Sequence, residues 1–162
     1  MKNLSLIVAI GKNNELGLND NLIWNLKGDM HFFKETTIGH TVIMGNNTFK
    51  SLPCLLPNRH NIVITDNTNY HPKGVTIFCN IKEVLKYVEK SKDECFVIGG
   101  ASIYKQFLEY CDTLYITEID DSHKCDVYFP KISKEEYEKE VLKENIENNI
   151  KYRFVKYIKR GE

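Results

Sequence analysis

Phe96-Val-Ile-Gly-Gly-Ala-Ser102 runs from β-branched apolar residues through paired glycines into a helix-forming stretch, and Val42-Ile-Met-Gly-Asn-Asn-Thr48 repeats the form. Strand, glycine, helix is the junction found at the carboxyl ends of strands in an open α/β sheet, where ligands gather. The first N–H groups of each helix are free to meet an anion, so a phosphate-bearing cofactor bridging both junctions fits; glycines that merely turn the chain fit as well. Neither junction is GxGxxG or a phosphate-binding P-loop.

Outward from these junctions, short apolar runs recur at 4–10, 41–44, 61–65, 75–78, 95–98 and 114–119. Their near-continuous apolarity predicts strands covered on both faces. Helix-like stretches at 28–37, 46–52, 81–90 and 101–110 lie between them. The alternation predicts an α/β fold: a central, mostly parallel twisted sheet with flanking helices. Asn80 and Glu83 resemble a capping box, and Val84, Leu85 and Val88 supply that helix's apolar stripe. Residues 134–149 are charged and asparagine-rich and predict a solvated connection, after which Tyr152–Ile158 forms a C-terminal antiparallel edge strand. No repeat or low-complexity linker divides the 162 residues, so one domain over 1–162 is expected.

Composition excludes several classes of function. The 22 Lys and Arg balance 22 Asp and Glu, leaving no basic field for nucleic acid. No apolar run approaches the ~20 residues of a bilayer span, and Met-Lys-Asn-Leu-Ser opens on a strand rather than a secretory leader, so a cytoplasmic protein is expected. Five cysteines at wide spacing predict reduced thiols, and five dispersed histidines offer no metal-ligand spacing; no metal is expected.

Candidate chemistry concentrates in Trp24-Asn-Leu-Lys-Gly-Asp-Met-His-Phe-Phe33. In a helix, Leu26, Asp29, Met30 and Phe33 share one face, which sets an acid inside an apolar stripe. Burial would raise its pKa while a helix N-terminus would oppose the rise, which suits proton chemistry or the gripping of a cationic heterocycle. A first-turn acid facing water satisfies the same pattern. Arg59 is one of three arginines and follows Leu55-Leu-Pro-Asn58; it is either a two-pronged carboxylate partner or a surface arginine. Residues 11–23, polar and punctuated by Gly17, are long enough for a lid.

Taken in order, these pieces resemble the dihydrofolate reductase family in its bacterial form. The resemblance is carried by Ser-Leu-Ile-Val-Ala-Ile10, Leu16-Gly17, Trp24-Asn-Leu with Asp29 and Phe33, Val-Ile-Met-Gly45 with Thr48, Leu-Pro-Asn-Arg59, Val-Ile-Gly-Gly100 with Tyr104, Tyr-Ile-Thr117, and Asp126-Val-Tyr-Phe-Pro130. It implies NADPH-dependent reduction of 7,8-dihydrofolate to tetrahydrofolate, with hydride delivered to C6 and a proton to N5. By the same resemblance Asp29 grips the pterin, Thr117 orients Asp29, Trp24 positions an ordered water, and Leu22 helps close the lid. Ile7, Met30, Phe33, Leu52, Leu56 and Ile98 form the apolar walls, and Arg59 pairs with the substrate's α-carboxylate.

For the cofactor, the resemblance places nicotinamide near Ala9, Leu16 and Tyr104, phosphates at Gly45, Thr48, Gly100 and Ala101, and Gly17 among the cofactor-binding residues. Asn46, Thr65, Gly99 and Ser102 complete that side, and the Gly99–Gly100 peptide is expected to be cis. A monomer that takes dihydrofolate and antifolates as its small-molecule partners is implied, with no nucleic-acid or membrane partner. Departures from the pattern matter: Asn46 and Ser102 stand where relatives carry arginines, Asp66 would repel a nearby phosphate, and Ile23 replaces a proline. Lys50, His40, Thr65 and Ser102 are candidate compensations, and NADH is the weaker alternative cofactor. A pyrimidine reductase of the same fold and a non-catalytic pterin-binding module are the rival readings; Asp29, Phe33, Arg59 and Thr117 argue against the first, and the intact Asp29 against the second.

Overall fold

The computed structural model describes residues 1–17, 23–67 and 69–161. The elements run β1 (Leu4–Ile10), β2 (Glu15–Gly17), α1 (Lys27–Thr37), β3 (Thr41–Gly45), α2 (Asn46–Ser51), β4 (His60–Ile64) and β5 (Val75–Phe78). They continue with α3 (Ile81–Lys90), β6 (Cys95–Gly99), α4 (Ala101–Phe107), β7 (Thr113–Ile119), β8 (Val127–Tyr128), β9 (Tyr137–Glu147) and β10 (Ile150–Lys159). Short 3₁₀ turns follow α4 at Leu108–Tyr110 and precede β9 at Lys134–Glu136.

Eight strands form one sheet in the order β5-β4-β3-β6-β1-β7-β10-β9. Neighbours from β5 through β7 pair in parallel, whereas β10 pairs antiparallel with both β7 and β9. β1 lies between β6 and β7 and is almost wholly buried, as its unbroken apolar run predicts. β2 and β8 make a separate two-stranded ribbon.

The end of the chain departs from the expectation. Residues 134–149 are not a simple solvated connection, because Tyr137–Glu147 is an eleven-residue strand. The sheet edge is therefore β9, and β10 is interior. β9 exposes nearly every side chain, so it has no apolar alternation to read; its lysines and glutamates also discourage a further strand from adding to the edge. Asn148 and Asn149, at φ 53° and 62°, turn the β9–β10 hairpin in the left-handed conformation that asparagine tolerates.

Packing explains how α1 is fixed. Phe32 stacks on Phe154 of β10 with ring centroids 4.2 Å apart and planes 6° from parallel. Leu26 at the helix start is buried beside Ile119, Tyr152 and Phe154. No side chain local to α1 caps its first turn. The Glu147 carboxylate at the end of β9 instead accepts the N–H groups of Lys27 at 2.7 Å and Gly28 at 3.1 Å. α3 is capped locally, as predicted: Asn80 Oδ1 accepts the Glu83 N–H, while the Glu83 carboxylate accepts the Cys79 N–H. Among the described residues no helix is long and apolar enough to cross a membrane.

Candidate active site

The carboxyl ends of β3 and β6 open, through the two glycine junctions, onto a cleft of about 620 Å³. That volume suits a sizeable organic ligand. Leu16, Gly17, Thr48, Leu52, Ile98, Gly99, Gly100, Ala101 and Tyr104 line it, nine positions the sequence singled out. Asn25, Asn47, Ser51 and Val127 line it as well and were missed. Ser51 stands three residues after Thr48 on α2, so helical spacing from Thr48 would have found it; Asn47 is related by such spacing only to Ser51. Val127 reaches the cleft through the β2–β8 pairing and carries no local signal.

The first of the paired glycines is required by its backbone conformation. Gly99 has φ 129° and the Gly99–Gly100 peptide is cis, as expected. A Cβ on Gly99 or Gly100 would lie 3.5 or 3.4 Å from Thr48 Oγ1. Tyr104 is buried, and its hydroxyl lies 2.8 Å from the carbonyls of both Ile7 and Ile98, tying α4 to β1 and β6. Burial, then the charge of Asp29, pushes its phenol well up, so it stays protonated.

Asp29 sits in the first turn of α1. Thr117, 2% exposed on β7, donates its hydroxyl to Asp29 Oδ1 at 2.6 Å. Burial raises the Asp29 pKa above the ordinary carboxyl value, the Thr117 bond opposes that rise, and the Glu147 charge adds to it. The apolar-stripe reading of α1 holds for Leu26, which is buried, and for Phe33, which joins a cluster with Ile7, Leu52, Leu56 and Ile98. Met30 is 59% exposed and outside that cluster.

Arg59 follows a turn in which Asn58 has φ 59°. Buried Asn61 knits this turn, accepting the Leu56 N–H and donating to the carbonyls of Leu56 and Arg59. The guanidinium donates to Pro57 O at 3.0 Å and Thr37 Oγ1 at 3.1 Å, and partial burial lowers its pKa. It is a positioned group rather than a free surface arginine.

Other predicted residues sit as follows. Ala9 packs beside Trp24 and Leu26. Gly45 meets Ile103, which a Cβ would approach to 3.0 Å. Asn46 opens α2 with its Oδ1 buried and unpartnered among the described residues. The Thr65 hydroxyl accepts the Asn67 N–H, and that of Ser102 accepts from Gln106. His40 lies at the amino end of β3, bonded to Asp93 at 2.7 Å, which removes it from the compensations for a missing arginine at the opposite strand end. The Trp24 indole N–H donates to Asp121 Oδ2 at 2.9 Å. Leu22 lies outside the described residues.

A smaller cavity of about 260 Å³ includes Glu118, Asp120, Lys139, Arg153 and Tyr157, whose charges and hydroxyl are bonded to one another. It contains none of the predicted site residues.

A ligand-sized cleft at the carboxyl edge of a parallel sheet places the chain among α/β proteins that bind a small organic ligand at that edge. Comparison with known proteins narrows this. The family model for dihydrofolate reductase matches residues 3–159. The dihydrofolate reductase of Bacillus subtilis (strain 168) is 36% identical over 161 residues, covering 98% of this chain and 95% of its own. That of Staphylococcus haemolyticus is 34% identical over 148 residues, covering 91% and 86%. The structure of dihydrofolate reductase from Enterococcus faecalis complexed with NADP(H) and RAB-propyl superposes with a TM-score of 0.86 at 31% identity, over 98% of this chain and 96% of its own. The chain belongs to the dihydrofolate reductase family.

Proposed function

We propose that this chain, acting as one domain over residues 1–162, reduces 7,8-dihydrofolate to 5,6,7,8-tetrahydrofolate with NADPH, in support of one-carbon metabolism. The observation that carries the reading is the 2.6 Å bond from the buried Thr117 to the half-buried Asp29, on the fold of a family whose Enterococcus faecalis member is complexed with NADP(H). The unpartnered Asn46 Oδ1 and the glycine-lined approach to Thr48 fit a dinucleotide.

When bound, the reduced nicotinamide supplies a hydride to C6 of the pterin. Asp29 holds the pterin's 2-amino group and N3 and favours the protonated ring; water delivers the proton to N5, which a carboxylate on the far edge cannot touch. Thr117 fixes the carboxylate's orientation. Ile7, Phe33, Leu52, Leu56 and Ile98 exclude water around the pterin and benzoyl rings, with Met30 adding its exposed side chain. Arg59 receives the α-carboxylate.

On the cofactor side Ala9, Leu16, Gly17 and Tyr104 flank the nicotinamide. Gly45, Thr48, Gly100 and Ala101 receive phosphate oxygens, and Asn46, Thr65, Gly99 and Ser102 the remainder. Trp24 borders the pterin. The enzyme acts as a cytoplasmic monomer, and antifolates compete for its substrate site. Steady-state turnover tests the proposal: dihydrofolate must drive a loss of NADPH absorbance, and none with folded protein would overturn it.

A further inference from the structure

Trp24 is the chain's one tryptophan. Its indole N–H donates to Asp121 Oδ2 at 2.9 Å, across 97 residues of sequence. Asp121 lies on the segment between β7 and β8, and its carbonyl accepts the Lys12 N–H at 3.0 Å. Glu15 braces the same segment from beneath. It is 2% exposed, and its carboxylate accepts the N–H groups of Asn13 at 2.6 Å and His123 at 2.8 Å. Burial pushes the Glu15 carboxyl up, but those backbone bonds outweigh it and hold the group below its ordinary value, so the brace is ionised at neutral pH.

All three parts converge on Gly11. A Cβ there would stand 2.4 Å from Trp24 Cη2, 2.6 Å from Glu15 Oε1 and 2.9 Å from Asp121 O. The indole also packs against the buried cluster of Leu26, Ile119, Tyr152 and Phe154, as does Ala9. Ala9 is the register partner of Thr117, the residue that orients Asp29. One end of the indole is therefore pinned by a charge-assisted bond while its body rests on the strand pair behind the acid.

We propose that Asp121 is a positioning residue for the reaction: it fixes the orientation of Trp24 beside the substrate site, and Glu15 and Gly11 hold the Asp121 segment at the required distance. The inference rests on the dihydrofolate reductase reading for its catalytic arm only. A lone tryptophan makes emission a report on one side chain. Asp121→Ala is expected to shift the emission maximum of the ligand-free enzyme and to lower kcat for dihydrofolate about tenfold, with KM for NADPH within about twofold of the parent's. Asp121→Asn keeps an acceptor oxygen and should restore both the emission and most of kcat.

Parent-like emission and kcat in folded Asp121→Ala would overturn the proposal, as would Asp121→Asn behaving like the alanine variant. Hydrogen exchange of the single indole N–H in the unmodified, ¹⁵N-labelled protein needs no variant: slow exchange supports the bond, and exchange as fast as free indole overturns it. Failure of the parent enzyme to turn over dihydrofolate would count against the reaction alone, since emission and exchange read the Trp24–Asp121 contact without substrate.

Discussion

Asp29 shows how one carboxyl can be useful to chemistry and costly to folding. Its folded-state pKa lies above the unfolded value of ~3.9, so the folded chain holds the proton more tightly. Ionising it therefore lowers stability, by an amount absent below the unfolded pKa, growing between the unfolded and folded values and constant above the folded one. Asp29→Asn should melt no lower than the parent at pH 7, with any advantage vanishing in acid. The same change should cut hydride transfer at pH 7 by about 10²-fold or more, with partial recovery at low pH where dihydrofolate arrives protonated. Parent-like rates across the pH range would remove Asp29 from the mechanism. Arg59→Lys keeps the charge but loses the planar fork, so KM for dihydrofolate should rise with little change for a pterin lacking the glutamate tail. Equal effects on both substrates would make Arg59 structural. The sequence placed Asp29 correctly because helical spacing fixes its neighbours Leu26 and Phe33. It could not show from spacing that Thr117 meets Asp29, since that contact spans 88 residues; Asp121 and Glu147 lay beyond it for the same reason.

Among the elements, α1 depends most on distant chain. Its first two N–H groups are satisfied by Glu147, and a Cβ on Gly28 would come within 2.2 Å of the Tyr152 hydroxyl that also bonds Glu147. Glu147→Ala should speed hydrogen exchange at Lys27 and Gly28 and lower the melting temperature. It should also move the pH–rate profile toward acid, because the Glu147 charge helps to raise the Asp29 pKa. An unmoved profile would show that this charge does not reach the reaction. β1 was legible because burial on two faces writes a continuous apolar run, and it falls on its predicted bounds, as do the half-buried edge strand β5 and the helix α3. β9 was not, because an exposed edge strand is held by backbone pairing and leaves its side chains free to be charged. Asn148-Asn149 was the available signal, a two-residue turn between runs of similar length.

Across the whole molecule, the cleft joins the carboxyl ends of β3 and β6, and no arginine stands at Asn46 or Ser102 to hold a ribose phosphate. NADPH should therefore exceed NADH in kcat/KM by a modest ratio. Asn46→Arg is expected to widen that ratio roughly tenfold or more at low salt, chiefly through KM for NADPH, and less at high salt. A thousandfold, strongly salt-dependent preference in the parent would show a basic contact from elsewhere in the fold. The strand order has a consequence in time. β1 leaves the ribosome well before its neighbours β6 and β7, so Leu4–Ile10 has no pairing partner until residues 95–119 have been translated. The nascent chain must carry this apolar strand unpaired throughout that interval, in which a holdase or a pause in elongation would most affect its yield.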